Sequence, residues 1–404
     1  MKNTNSIIFI IICLLILAGL QVVQRKFSDK DNTNSKKDTI TSAPYSHLQL
    51  IDDGSNWPIF RGEPNLAGRA ATKLSDSPEF IWKFKTGDEI KSSPVIYDGV
   101  VYIGSTDANV YAIDIEKGAE IWSYKTGGEV EASACVFEDT VYIGSSDSFF
   151  YAIDAKTGSE KWKYETGGKI LGSANIVKRA DTNDTGIVAG GYDNTLYCFN
   201  PNNGDILWTY EAGSYINGTA ALEGDKVITG SCDALMHVIS ATDGNGITNI
   251  DSGAYIAGSG AVSDGKFYVG NYDSLFVKAD IKTSEILWEY TGSEMPYFSS
   301  PALTDNLVIV GGRDNRLHCL NTITGEVVWT YNALGEIDSS PVICGDKVVF
   351  GSSDGRIYMV KLSDGTKIWS YETGRPIVSS PAVALGMLVI GCDDGYVWAF
   401  GSKE

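Results

Sequence analysis

Histidine is nearly missing from this chain: there are three in 404 residues, His47, His237 and His318. Three scattered imidazoles cannot build a histidine-rich metal centre. His237 and His318 occupy the repeat position that holds Tyr111, Tyr151 and Tyr358 elsewhere, so they read as strand residues replacing tyrosine, not as triad partners. Cysteine is also scarce. The seven residues Cys13, Cys135, Cys198, Cys232, Cys319, Cys344 and Cys392 contain no CxxC and no adjacent pair, which argues against a redox dithiol or a paired zinc knuckle. Cys13 lies in an apolar leader and the other six fall in six different repeats. That spread favours small buried hydrophobes over a disulfide framework. Basic side chains are outnumbered, 32 against 51 acidic, for a net charge of −19. An acidic surface repels phosphate backbones, so nucleic acid is not an expected partner.

Long apolar runs are absent except for one. Ile7 to Leu20 is unbroken, and extended to Val23 the run has 17 residues, about 25 Å as a helix and near the short limit for a membrane span. Cleavage of a signal peptide needs small residues at −3 and −1, but Leu17-Ala18-Gly19 puts Leu at −3, and no Cys follows as a lipid attachment site. An uncleaved signal anchor is expected, with a cleaved signal as the alternative. Arg25, Lys26 and Lys30 follow the run and only Lys2 precedes it. By the positive-inside rule alone this would keep the rest of the chain in the cytoplasm. Residues 24 to 55 are polar and read as a flexible tether.

What is present is repetition. About every forty residues the chain returns to a small residue or two, an Asp, an aromatic residue four positions later, a turn and a Trp. The Asp falls at Asp107, Asp147, Asp193, Asp233, Asp273, Asp314, Asp354 and Asp394, and the Trp at Trp82, Trp122, Trp162, Trp208, Trp288, Trp329 and Trp369. Thr248 stands where an eighth Trp would be. Short strands at this period predict a closed ring of four-stranded blades. In the first repeat Ser92 to Tyr97, Val100 to Gly104, Val110 to Asp114 and Glu120 to Lys125 are the four strands, with Asp98-Gly99 as a hairpin turn. The last repeat ends without its outer strand, and an orphan strand, Phe80 to Phe84, precedes the first. The N-terminal strand is therefore expected to complete the last blade.

The expected fold is an all-β, eight-bladed propeller of four-stranded blades closed by the N-terminal strand, with an N-terminal membrane anchor helix. Its expected parts are a signal anchor or transmembrane segment (1–24), a flexible linker (25–56), a pre-propeller segment (57–79) and the propeller (80–404). Trp57-Pro58-Ile59-Phe60-Arg61-Gly62 reads as a packing lid. One site would not need seven copies of Trp, so these residues are expected to be cohesive core. Each repeated Asp is expected to accept hydrogen bonds from main-chain N–H groups in its turn.

The phrase from Tyr151 to Trp162, Tyr-Ala-Ile-Asp-Ala-Lys-Thr-Gly-Ser-Glu-Lys-Trp, resembles the tryptophan-docking repeat of quinoprotein propellers, and Tyr111 to Trp122 and His318 to Trp329 are close variants. The resemblance covers residues 80 to 402. Trp57 to Gly62 is similar to the segment that precedes the first blade in many exported members. Two branches are implied. Quinoprotein dehydrogenases bind pyrroloquinoline quinone and calcium, are typically longer, and many carry an adjacent cysteine pair that this chain lacks. The other branch, the outer-membrane assembly factor BamB family, implies a non-catalytic periplasmic scaffold, although its lipoprotein Cys is missing here. Export of the propeller to the periplasmic or extracellular side is implied by this resemblance, against the charge rule.

Function must come from where the repeats differ. The longest insertion, Ala174 to Gly190, carries Asp181 to Gly186 at its tip. The tip lacks the closing Glu of a calcium loop, so it reads as a solvated turn. Each inner strand begins with Ser or Thr: Ser93, Ser133, Ser173, Thr219, Ser259, Ser300, Ser340 and Ser380. Two residues earlier the chemistry diverges: Lys91, Glu131, Leu171, Asn217, Ala257, Phe298, Asp338 and Val378. This position is expected at the mouth of the central channel, where mixed chemistry fits an asymmetric ligand or simple exposure to water equally well. Nearby turns add Tyr192, Tyr215, Tyr255, Tyr272, Tyr297 and Phe298, bordered by Arg313 and Arg316, a sector suited to protein or glycan contact or to local packing. The sequence thus reads as a non-catalytic, envelope-located scaffold that binds a protein or glycan partner, with no cofactor and no metal site assigned. The alternatives are a quinone-dependent dehydrogenase or its degenerate descendant, and a membrane-tethered ligand sensor.

Overall fold

The computed structural model of the chain describes residues 54–180 and 182–402. The expected anchor, most of the tether, Cys13 and His47 lie outside them. The described chain folds into eight antiparallel sheets of four strands each, one of which takes up a further two-residue strand, Arg69–Ala70. No helix occurs among the described residues, so none there is long and apolar enough to cross a membrane.

Blade 1 shows the rule. Its strands are Val95–Tyr97, Val100–Gly104, Asn109–Asp114 and Glu120–Lys125, from the channel outward. Middle strands meet a neighbouring blade on both faces, so they read as apolar runs; every residue of Thr140–Gly144 in blade 2 is buried. Outer strands alternate, and in Glu120–Lys125 only Trp122 is fully buried. Each outer strand slips register beside the Trp position. Such a bulge re-aims a side chain, here toward the next blade. Blade 8 takes Ala382–Ala384, Met387–Gly391 and Tyr396–Gly401 from the C-terminus and Glu79–Lys85 from the N-terminus, with Trp82 opposite Ala399.

The tryptophans tie one blade to the next. The Trp122 indole donates to Ala155 O at 2.9 Å, and Trp82, Trp162, Trp208, Trp288 and Trp329 bond Ile115, Pro201, Ala241, Thr322 and Leu362 in the same way. Each ring lies on a turn glycine of the next blade: a Cβ on Gly158, whose φ is +71°, would stand 2.8 Å from the Trp122 ring. Trp369 instead meets Phe400 edge-on at 5.4 Å. Where Thr248 replaces Trp, Ser284 replaces the glycine, and their hydroxyls bond at 2.9 Å. The two departures answer each other.

The repeated Asp ties the same seams at the turns. Asp107 accepts from Gly87 N at the end of blade 8, from Asn109 N and from Tyr111 Oη, at 2.6, 2.9 and 2.7 Å. Burial opposes its ionisation, but the donated bonds, that of Tyr111 foremost, outweigh it and hold the carboxyl below the usual range. Asp147, Asp193 and Asp354 repeat the pattern with Tyr151, Tyr197 and Tyr358. Asp233 and Asp314 bond His237 and His318, which stand in for the tyrosine, and Asp394 bonds Trp398. Asp273 departs from the expectation. Val277 offers no donor at the tyrosine position, and the Asn271 side chain takes the turn N–H groups of Asp273 and Leu275 instead. The six described cysteines are free, five of them buried and Cys232 half-buried.

Two features shape the channel. First, the Ser/Thr side chains at the inner-strand starts form a girdle: Ser93 N donates to Ser133 Oγ, Ser133 N to Ser173 Oγ, Ser173 N to Thr219 Oγ1 and Thr219 N to Ser259 Oγ, and, after a gap between Ser259 and Ser300, Ser300 N donates to Ser340 Oγ, Ser340 N to Ser380 Oγ and Ser380 N back to Ser93 Oγ at 2.9 Å. Second, residues 54–72 make a full circuit over the other end of the inner strands. Gly54 O accepts from Leu385 N in blade 8; Trp57 exchanges two bonds with Ile96 in blade 1; Pro58 O takes Val136 N in blade 2; and Pro64 O takes Asn175 Nδ2 in blade 3 and Leu222 N in blade 4. Asn65, Ala67 and Gly68 then reach Val262, Leu303 and Ile343 in blades 5, 6 and 7, and Thr72 returns to blade 8 at Gly386.

Candidate functional site: the channel mouth

The lid covers the ends of the inner strands, so the starts of those strands face the open side. Lys91 lies five residues before the lid contact at Ile96, roughly 16 Å away along an extended chain. Main-chain bonds repeated around the ring seat two further variable positions beside it. Thr106 N donates to Glu89 O in blade 1, Tyr192 N to Lys169 O, Cys232 N to Tyr215 O, Tyr272 N to Tyr255 O, Arg313 N to Pro296 O and Asp393 N to Pro376 O. A rigid frame thus presents three free choices of side chain per blade on one face.

The choices divide the mouth in two. Blades 3 to 6 carry aromatics. Tyr192 stacks on Tyr215 with centroids 4.8 Å apart, and Lys169 Nζ sits 4.4 Å over the Tyr192 ring. Tyr272 meets Phe298 edge-on at 5.8 Å, and the Arg313 guanidinium lies 3.8 Å over the Phe298 ring. Arg313 also forks onto Asp338 at 2.9 and 2.7 Å, an ion pair that raises its pKa further. Tyr272, Phe298, Arg313 and Asp338 therefore form one chain of contacts across three blades. Tyr215, Tyr255 and Tyr272 remain 47, 59 and 52 % exposed. Tyr297 corrects the sequence reading: it is 1 % exposed, packed against Phe276 and His318, because its ring faces the core strand that Phe298 turns away from. Arg316 is exposed but leans back toward Asp314 at 3.9 Å, at the rim.

The opposite half of the mouth is acidic, with Glu336, Asp393, Glu89 and Glu129 at the equivalent positions. Lys91 lies 3.7 Å from Glu89, both well exposed. Glu131 is half-buried, and Asn217 bonds Cys232 Sγ at 3.3 Å while its Oδ1 has no partner. Asp393 was not singled out by sequence. Its carboxyl is pushed up to about 6 by burial and by Glu89, against the pull of Lys91, and its Oδ1 is unpartnered. The signal was available: Asp393 occupies the repeat position of Tyr192, Tyr272 and Arg313. Chemically the mouth offers aromatic faces, hydroxyls and an acidic rim, all suited to holding a partner. His237 and His318 are 2 and 0 % exposed and remain inside the blades.

A family profile described as outer membrane protein assembly factor BamB matches residues 72–214, 192–303 and 296–403. Among solved structures, BamB from Moraxella catarrhalis superposes with a TM-score of 0.68 at 18% identity over 80% of this chain and 100% of that one. The computationally designed Ika8 protein gives 0.69 at 17% over 82% and 99%. Quinohemoprotein alcohol dehydrogenase from Comamonas testosteroni gives 0.72 at 13% over 87% and 81%. No curated protein matches. Among the described residues no three His, Cys, Asp or Glu converge, and the described cysteines are dispersed and unpaired.

Proposed function

We propose that this chain, which belongs to the outer membrane protein assembly factor BamB family, is a non-catalytic scaffold of the cell envelope whose channel mouth holds a protein partner. The N-terminal segment tethers it to the membrane, and the propeller lies on the periplasmic or extracellular side. One observation carries the reading. Four consecutive blades place tyrosines and a phenylalanine at mouth positions where the other blades put Glu89, Glu129, Glu336, Asp338 and Asp393 among small polar residues, and three of those tyrosines are about half exposed. Aromatic residues on a rigid frame supply binding energy at low entropic cost, whereas an exposed ring with no partner gains the fold little. The acidic half opposite favours a partner with a basic patch beside its apolar one. A glycan is the alternative partner: it would stack on the same aromatic faces and donate its hydroxyls to the carboxylates.

The competing reading is a quinone-dependent dehydrogenase on the same fold. Incubating the purified chain with pyrroloquinoline quinone and calcium is expected to give no dye-linked oxidation of alcohols or aldoses. Sustained turnover with any of them would replace the scaffold by the dehydrogenase.

A further inference from the structure

At the closed end of the channel one positive charge has no counter-charge among the described residues. Arg61 belongs to the stretch of lid between its bonds to blade 2 and to blades 3 and 4, yet its Nη2 donates to Pro301 O in blade 6, nearly opposite, at 2.9 Å. The guanidinium therefore lies across the channel axis. It is 1 % exposed, and its Nε and Nη1 have no hydrogen-bond partner. Among the described residues no carboxylate pairs with it. The chain makes local concessions to put it there: Arg61 itself takes a φ of 68°, and Gly68, at +64°, leaves room where a Cβ would stand 1.9 Å from Nη2. Burial pulls the group down to about 9, which still leaves it charged at neutral pH. A buried, unpaired cation is strongly unfavourable, and proteins seldom keep one without a counter-charge.

The girdle lies next to it, since Ser300 precedes Pro301. Apart from that of Ser300, its hydroxyl oxygens accept main-chain N–H groups, and among the described residues no acceptor is bonded to the hydroxyl protons of Ser93, Ser133 or Ser173. The girdle residues keep 2 to 7 % exposure, whereas Ser92, Ser339 and Ser379 beside them keep none. The girdle thus borders accessible space and has protons to donate into it.

We infer that the channel core is a binding site for a small carboxylate, held by Arg61 Nε and Nη1 from the lid side and by girdle hydroxyls around it. A single negative charge balances the guanidinium, whereas a phosphate dianion would bury a surplus charge. The site is separate from the mouth and does not depend on what the mouth binds.

Sodium formate, titrated at constant ionic strength into the full-length chain in non-ionic detergent, is the probe. Ligand that binds only the folded state raises the melting temperature with the logarithm of its concentration. That rise is expected for the native chain and is expected to vanish in Arg61→Gln. Arg61→Lys keeps the charge but loses the planar donors, and should need at least about ten-fold more formate for the same rise. A native chain whose melting ignores formate overturns the inference, and so does an Arg61→Gln chain that keeps the full dependence. Should Arg61→Gln fail to fold, the native and Arg61→Lys titrations decide: equal responses overturn it and a weaker Lys response supports it.

Discussion

A chain that begins at residue 86 is expected to show no cooperative melting, whereas one that begins at residue 78 keeps a transition, lowered by loss of the lid. The difference is the strand Glu79–Lys85. It supplies the outer strand of blade 8 and pairs along Tyr396–Gly401, five of whose six residues are fully buried. It also carries Trp82, whose indole bonds Ile115 O in blade 1 at 2.6 Å, and Phe84, which meets Tyr111 of blade 1 at 5.4 Å. Removing it opens the last blade and unties the seam where the two ends of the ring meet. It also leaves a long apolar strand edge, which favours aggregation. Melting curves by circular dichroism compare the two chains. Equal transitions would mean that closure does not stabilise the ring.

The second large effect is at the tryptophan seams. Trp122→Ala should cost about 3–5 kcal/mol, the range for deleting a large buried aromatic side chain, because it removes both the ring over Gly158 and the bond to Ala155 O. Trp369→Ala should cost less. That residue is only partly buried, and among the described residues its indole N–H finds no carbonyl. The Thr248 seam tests the same rule in reverse. Thr248→Trp alone should destabilise, because Ser284 fills the place of the turn glycine. Combined with Ser284→Gly it should recover, with a coupling of about 0.5–3 kcal/mol in the double-mutant cycle. Denaturant unfolding of the four chains gives that number, and strictly additive effects would contradict the packing argument.

Repeat geometry was readable in the sequence because each seam uses side chains that recur: the Trp, its turn glycine, and the Asp with its Tyr or His. Closure was readable for the same reason, as a missing strand at one end matched a spare strand at the other. The circuit of the lid was not. It is built almost wholly from main-chain bonds, which leave no side-chain signature, and only the aromatic start at Trp57 hinted at packing. Arg61 looked like an ordinary charged residue in a loop, since nothing in its neighbours shows that the lid carries it across the axis. At the mouth, Tyr297 and Phe298 are adjacent, and their opposite fates depend on strand direction, so both seemed equally available. Asp393 carries no aromatic signature at the position that Tyr192 and Tyr272 occupy, so nothing in the sequence links it to them except its place in the repeat.

The central claim is that the aromatic half of the mouth binds a partner and is not part of what holds the ring together. Tyr215→Ala, Tyr255→Ala and Tyr272→Ala, combined in one full-length chain, test it in a single comparison of melting temperature and of proteins cross-linked to the chain in intact membranes. Half-exposed rings contribute little to folding, while a few aromatic anchors often contribute about 2 kcal/mol or more each to binding. The account predicts an almost unchanged melting temperature and loss of a discrete cross-linked partner. A lowered melting temperature with the same cross-linked partner would contradict it.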